Sequence, residues 1–144
     1  MKPVGSKFEY ESERNNDLMS VYHNLICGCE EIKLCELMER VVNSPSRRFW
    51  VSEERAAIVV SAMMKGDCLE GMSETKREMF TEIYRRVMDM KGSRSKMSLS
   101  EIIFDVIRQP APKFYLTPGS AKVIIHKIKR KWYEERKRKL RHLF

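Results

Sequence analysis

The segment 41–65 occurs a second time as 106–130, and this repeat constrains the fold more than any other feature of the chain. A shift of 65 positions brings the two copies into register, and a shift of 62 aligns the residues that precede them. The aligned pairs include Leu18 with Phe80, Tyr22 with Tyr84, Val41 with Val106, Pro45 with Pro110, Phe49 with Phe114, Trp50 with Tyr115, Ser52 with Thr117, and Ala56 with Ala121. Self-similarity at a fixed period indicates a duplicated supersecondary unit.

Apolar residues spaced three and four positions apart predict helices in both copies. In the first copy the spacing predicts helices from Arg14 to Gly28, over 33–43, and from Ser52 to Gly66. In the second copy it predicts helices over 74–90 and 98–109, followed by a last helix that begins after Thr117. The predicted core stripe of that last helix is Ala121, Ile124, Ile125, Ile128 and Trp132. The sequence therefore predicts an all-α fold of two tandem three-helix repeats, at about 14–66 and 73–131, with a long basic C-terminal helix.

The length of 144 residues is typical of one domain, which buries about 68–70% of its unfolded surface on folding. Residues 1–13 are polar and lack apolar periodicity, so we expect a flexible N-terminal arm there. Residues 14–132 contain both repeats and are predicted to form a single compact helical domain. Residues 133–144 lack a core stripe and are predicted to project as a basic helix or tail.

The positive charge is concentrated at one end of the chain. The formal net charge is +8, with 28 basic and 20 acidic residues. Residues 122–144 contain ten Lys or Arg and two Glu, which leaves 18 basic and 18 acidic residues in the remaining chain. A neutral body with a cationic end is typical of proteins that bind nucleic acid, although anionic lipid or an acidic protein can also be the partner.

This charge pattern predicts a small, non-enzymatic DNA-binding protein that contacts the phosphate backbone, with DNA expected in preference to RNA. The alternative is a structural or adaptor module whose basic tail holds an acidic partner or nucleic acid nonspecifically. Both hypotheses are compatible with self-association of the chain. The predicted nucleic-acid contacts are Lys122, Lys127, Lys129, Arg130, Lys131, Arg136, Lys137, Arg138, Lys139 and Arg141, together with Arg47, Arg48 and Lys113 in the two connectors.

The connectors between the second and third helices carry aromatic pairs beside basic residues, Phe49-Trp50 and Phe114-Tyr115. Such rings can stack on exposed bases. Rings of this size also supply much of the core of a small domain. We favour the second interpretation, with the two phenylalanines as core anchors and the neighbouring rings half-buried.

Metal binding and catalysis find little support in the sequence. Cys27, Cys29 and Cys35 lie near His23, but this spacing differs from the paired CxxC and HxxxH spacings of small zinc modules. No phosphate-binding glycine loop and no nucleophile, histidine and acid combination are present. We therefore expect no catalytic residue, metal, cofactor or small-molecule substrate, and we identify no motif specific to a known family.

The N-terminal sequence lacks the apolar run of a secretory signal, and the chain lacks an apolar stretch long enough to span a bilayer. These features predict a cytoplasmic, intracellular protein without a membrane partner. In that compartment we expect the four cysteines to be reduced thiols.

Overall fold

A computed structural model describes residues 6–28, 33–93 and 96–143, with side chains from Tyr10 onward. Within these ranges the chain forms six α-helices and no β-strand, which confirms the all-α prediction. The helices are α1 (Ser6–Cys27), α2 (Leu34–Val42), α3 (Glu53–Met64), α4 (Glu74–Ser93), α5 (Leu99–Ile107) and α6 (Pro118–Leu143).

Short polar side chains begin three of these helices. The hydroxyl of Ser52 accepts a hydrogen bond from the backbone N–H of Arg55 at 3.1 Å, and Ser98 and Thr117 do the same at the starts of α5 and α6. Such caps satisfy backbone donors that have no partner inside the helix. Past the end of α3, Gly66 has a φ of +98°, a left-handed conformation that glycine adopts without steric cost.

The first helix begins earlier than its apolar spacing indicates. α1 starts at Ser6, so the segment predicted as a flexible arm, 1–13, is helical from that residue onward, while residues 1–5 lie outside the described part. Tertiary contacts accompany this extension. The ring of Tyr10, which lies in the added segment, is 6.1 Å from that of Trp50. The local sequence contains no sign of these distant contacts.

Each half of the chain supplies the third helix to the core of the other half. α3 packs against α4 and α5, whereas α6 packs against α1 and α2. Two hydrophobic clusters result. One contains residues of α3, α4 and α5, and the other contains residues of α1, α2 and α6. The connector from α2 to α3 and the connector from α5 to α6 therefore both cross the middle of the molecule.

Backbone hydrogen bonds join the two connectors, and each bond has a counterpart whose residues lie 65 positions along the chain. Ser46 and Ala111 form a single antiparallel bridge. On either side of it, the N–H of Phe49 donates to the carbonyl of Ile107 at 2.9 Å, and the N–H of Phe114 donates to that of Val42 at 3.0 Å. The hydroxyl of Ser46 donates to the carbonyl of Lys113 at 3.2 Å, which adds a side-chain link between the connectors.

The apolar stripes were predicted well for most helices, with three exceptions. Ile26, on the predicted apolar face of the first helix, is 40% exposed. Leu34 and Trp132, both predicted to face the core, are 48% and 49% exposed. Leu34 is the first residue of α2, and Trp132 lies beyond the point where α6 leaves the body. Ala121 and Ile125 are buried as predicted. The spacing of apolar residues identifies one face of a helix but not how far along that face the neighbouring helices extend.

Candidate nucleic-acid interface

The basic side chains of α6 form most of the candidate interface. This helix has 26 residues, which corresponds to a length of about 39 Å at 1.5 Å per residue. Ala121 and Ile125 are buried against α1 and α2, and Ile124 and Ile128 are partly buried beside them. Every residue from Lys129 to Leu143 is exposed. The first half of α6 is therefore part of the core, and the second half is surrounded by solvent.

All ten predicted basic positions of the C-terminal segment lie on α6, and all ten are exposed. Part of this set lines an open surface along one side of the helix. The lining residues are Lys122, Val123, His126, Lys127, Lys129, Arg130 and Tyr133. Beyond Tyr133 the basic residues include Arg141 and four consecutive positions, 136–139. Those four point in different directions because successive helical residues are rotated by about 100°.

Two basic residues of α6, Lys129 and Arg130, have polar contacts with other side chains. The ammonium of Lys129 donates a hydrogen bond to the hydroxyl of Tyr22 and lies 4.4 Å from the centre of that ring. Lys129 therefore ties α6 to α1 as well as adding charge. Arg130 forms a loose ion pair with Glu134, with 3.9 Å between Nε and Oε1, and both side chains remain largely exposed. An exposed pair of this kind contributes little to stability and can open for a ligand.

The connector cations that were predicted as phosphate contacts differ in their surroundings. Arg47 has a side chain that is 76% exposed, and its Nε lies 3.9 Å from Asp17 Oδ1. Arg48 donates hydrogen bonds to the carbonyls of Phe49 and Val51 at 3.1 and 2.9 Å. Lys113 forms an ion pair of 2.6 Å with Glu78. Arg48 and Lys113 therefore have structural partners, and Arg47 is the most open of the three.

The aromatic pairs of the connectors are inside the protein. Phe49, Trp50, Phe114 and Tyr115 are all buried, so the base-stacking interpretation is wrong and the core-anchor interpretation is confirmed for both phenylalanines. The neighbouring rings are buried as well, which is more than the half-burial that the sequence predicted. Burial raises the pKa of the Tyr115 hydroxyl, because the charged phenolate loses its hydration inside the protein.

Arg108 was missed by sequence analysis. It lies at the end of α5 and shares a surface concavity with both connector arginines of the first half. The residues that line this concavity are Glu13, Asn16, Arg47, Arg48, Trp50 and Arg108. No spacing pattern relates Arg108 to residues 47 and 48, because the concavity forms only when α5 packs beside the first connector.

The histidine and cysteines that were weighed as metal ligands do not form a cluster in the described part of the chain. His23 stacks on Trp132, with 6.4 Å between the ring centres. Cys27, Cys35 and Cys68 are free and exposed, and Cys29 lies outside the described residues. Among residues 6–28, 33–93 and 96–143, no group of three or more metal-ligating side chains comes together.

No helix in those same ranges has both the length and the apolar character that crossing a lipid bilayer requires. Comparisons with protein-family models, with curated proteins and with solved structures find no significant match for this chain.

Proposed function

We propose that this chain is a small, non-enzymatic DNA-binding protein with an accessory or regulatory role, and that α6 contacts the phosphate backbone. One observation carries the proposal. Ten basic residues lie on a single 26-residue helix whose last 15 described positions are all exposed, while the rest of the chain is neutral. Concentration of charge on one exposed element is the electrostatic pattern of a nucleic-acid-binding surface.

The shape of α6 suits a duplex ligand. An α-helix fits into the major groove of B-DNA, which is about 12 Å wide. Basic residues at 136–139 point in different directions, so a helix lying in the groove presents cations to the phosphates on both sides. Contacts of this kind release counterions and give affinity that depends on salt more than on base sequence.

We infer further that the chain is an internal duplication in which only the second copy has become basic. At positions 65 apart, Ala57, Ser61, Ala62 and Met64 of α3 correspond to Lys122, His126, Lys127 and Lys129 of α6. α3 ends at Met64, near Gly66, whereas α6 continues through the corresponding position, Lys131, to Leu143. The apolar residues that pack in the core are retained in both helices. The added charge and the added length therefore occur together, on the surface of α6, which supports a function located there.

The experiment that tests the proposal measures binding as a function of salt concentration. Duplex DNA, single-stranded DNA and RNA of equal length are titrated with the full chain and with a chain that ends at Trp132. We expect the full chain to favour duplex DNA, with log K falling linearly against log salt. The shorter chain loses Arg136, Lys137, Arg138, Lys139 and Arg141, so its slope should be smaller by up to about 4.5, at about 0.9 per phosphate. A flat slope, or one that truncation leaves unchanged, would contradict the proposal.

One observation favours the alternative, a structural or adaptor module. Ile58 on α3 and Val123 on α6 are 54% and 53% exposed, and they lie 65 positions apart. Exposed branched side chains at corresponding positions of two helices provide apolar contact area for a protein partner or a second copy. Light scattering over a range of concentrations distinguishes the hypotheses. Self-association that Ile58→Glu and Val123→Glu abolish, together with DNA binding that does not depend on α6, would favour the adaptor.

A further inference from the structure

The outer side of α3 is uncharged along most of its length. Nine consecutive residues, 56–64, carry no charge, in a chain of which 33% is charged. Ala56, Val59 and Val60 are buried, so the opposite side of the helix faces solvent. Ile58 lies on that side and is 54% exposed. The centres of protein interfaces are depleted in charged residues, so this side of α3 has the composition of a contact surface.

Four residues form a line along the middle of the exposed side, and we call this line the outer seam: Glu54, Ile58, Ser61 and Lys65. Their spacing of four, three and four residues keeps them on one face of a helix. Glu54, Ile58 and Lys65 are exposed, and Ser61 is partly buried. Lys65 is the C-cap residue, so the outer seam extends from the first turn of α3 to its end. The outer seam therefore has a negative end, an uncharged middle and a positive end.

Neither charged end of the outer seam is paired within the described part of the chain. In residues 6–28, 33–93 and 96–143, the carboxylate of Glu54 and the ammonium of Lys65 form no ion pair or hydrogen bond. The neighbouring Glu53, by contrast, pairs with Arg108 at 3.5 Å. Both ends of the outer seam are therefore available to charges of opposite sign on a partner.

The outer seam is complementary to itself in the antiparallel direction. Its spacing is the same from either end, so a twofold axis at its midpoint places Glu54 opposite Lys65 of a second copy. The same axis places Ile58 opposite Ser61 of the second copy, and the small serine leaves room for the branched side chain. Each of these contacts occurs twice, because the symmetry repeats it.

The corresponding face of α6 lacks this complementarity. Val123 corresponds to Ile58 and is equally exposed, at 53%. The two alanines that flank the outer seam of α3, however, are replaced in α6 by Lys122 and Lys127. An antiparallel pair of α6 helices would place Lys122 opposite Lys127 of the second copy, and like charges in that position repel. Of these two related helices, α3 is therefore the one suited to pair with itself.

We propose that α3 is a self-association surface, on which a second copy of this chain packs its own α3 antiparallel across a twofold axis. Ile58 supplies the apolar contact at the centre, and the two pairs of Glu54 with Lys65 fix the direction of packing. A second copy fits this surface because the outer seam is complementary to itself in both spacing and charge. The pairing does not require DNA. Its consequence for DNA binding, that a dimer carries two α6 helices, rests on the proposed function.

Sedimentation equilibrium of the full chain without DNA measures the pairing. One pair of helices makes a small interface, so we expect a Kd on the order of tens of micromolar. Ile58→Glu places a charge at the centre of the contact and should raise this Kd by about tenfold or more. Val123→Glu is the matched control, because it makes the same change at the corresponding position of α6, which is equally exposed. The control should leave the Kd at the parent value.

A parent chain that sediments as a monomer at all concentrations would overturn the proposal. Equal weakening by Ile58→Glu and Val123→Glu would overturn it as well, because the contact would then not be specific to α3. Thermal melts of both variants show whether each is folded.

Charge reversal at the two ends of the outer seam tests the direction of packing. Glu54→Lys and Lys65→Glu each place like charges opposite each other at both ends, so each should raise the Kd by about fivefold or more. An equimolar mixture of the two variants restores opposite charges at both ends. The mixture should therefore associate as a heterodimer with a Kd near the parent value. A mixture that associates no better than either variant alone would show that the antiparallel pairing is wrong.

The salt dependence of DNA binding separates failure of this interface from failure of the proposed function. If α3 pairs but α6 does not bind DNA, the changes in dimer Kd are observed while the salt slope is flat. If α6 binds DNA but α3 does not pair, the salt slope is steep while the parent chain stays monomeric. The first result supports the self-association surface, and the second overturns it.

Discussion

Ser46 and Ala111 lie 65 positions apart, and each donates its backbone N–H to the carbonyl oxygen of the other at 3.0 Å. This exchange joins the two connectors at the middle of the molecule. Beyond it, each aromatic pair divides between the two cores. Phe49 and Tyr115 belong to the cluster around α3, α4 and α5, whereas Trp50 and Phe114 belong to the cluster around α1, α2 and α6. The backbone bridge therefore joins two connectors that each contribute residues to both hydrophobic clusters.

Removing one of these bridge hydrogen bonds should destabilise the whole molecule. Ala111→Pro eliminates the N–H that donates to Ser46 and leaves a buried carbonyl without its partner. We expect the free energy of unfolding to fall by about 1–3 kcal/mol, measured by urea denaturation. Ala111→Ser keeps the N–H and places at 111 the residue found at 46, so it should cost less than half as much. Equal losses for both variants would show that the hydrogen bond is not the cause.

Replacing Ile125 by alanine should lower the free energy of unfolding much more than replacing Trp132 by alanine. Ile125 is 3% exposed and fills the core between α1 and α2, so its truncation should cost about 2–5 kcal/mol. Trp132 is half exposed and rests on His23, so its loss should cost about 1 kcal/mol or less. Thermal or urea unfolding of both variants measures the difference. Similar losses of unfolding free energy for the two variants would mean that the body of the protein covers α6 as far as Trp132.

Glu82 should make stability depend on pH in the acid range. Hydrogen bonding from the Arg85 guanidinium holds the pKa of this carboxyl below its usual 4.5, partial burial opposes the shift, and Arg86 adds to it. A pKa lowered in the folded state stabilises the fold above pH 4.5, and this contribution disappears as pH falls through the lower folded value. Glu82→Gln should therefore be less stable than the parent at pH 7, with the gap closing toward pH 3.

Urea denaturation between pH 7 and pH 3 measures the difference in unfolding free energy between Glu82→Gln and the parent chain. Glu70→Gln, at an exposed position between α3 and α4, serves as the control and should follow the parent chain over the whole range. A gap for Glu82→Gln that stays constant down to pH 3 would mean that packing, rather than the carboxylate charge, is lost in this variant.

Charge on the solvent-exposed half of α6 should determine the salt dependence of DNA binding. Replacing Lys137 and Arg141 by glutamine should lower the slope of log K against log salt by about 1 to 2, since each neutralised phosphate contributes about 0.9. Arg77 and Lys91 are exposed on α4, and replacing both removes the same net charge from the body. That control should shift the slope by less than about 0.5. A shift that is equal in the two double variants would mean that only net charge matters.

Local features of the fold were predictable from the sequence because their causes are local. Ser52, Ser98 and Thr117 are positioned to cap helices, and the structure shows each of these hydroxyls accepting a backbone N–H. The apolar spacing of the last helix correctly placed Ala121 and Ile125 on a buried face. Helix starts and apolar stripes depend on residues three or four positions apart, and such residues are visible in any window of sequence.

The concavity that Arg47, Arg48 and Arg108 line could not be predicted in the same way. Arg108 is separated from Arg47 and Arg48 by most of the chain, and only the packing of α5 beside the first connector brings it into the concavity. The early start of α1 was missed for a related reason, because Tyr10 gains its contact from Trp50. Contacts between distant residues depend on the path of the chain, which no local pattern specifies.

The sequence by itself determined approximately where the helices lie, which face of most helices is apolar, and where the positive charge is concentrated. Only the tertiary structure decided which helices complete each core. α3 packs with α4 and α5, and α6 packs with α1 and α2, so each third helix lies in the other half of the molecule. The physical reason is that an apolar face requires burial but is satisfied by any complementary face. The connectors, joined at Ser46 and Ala111, direct each third helix across the middle of the molecule to the opposite core.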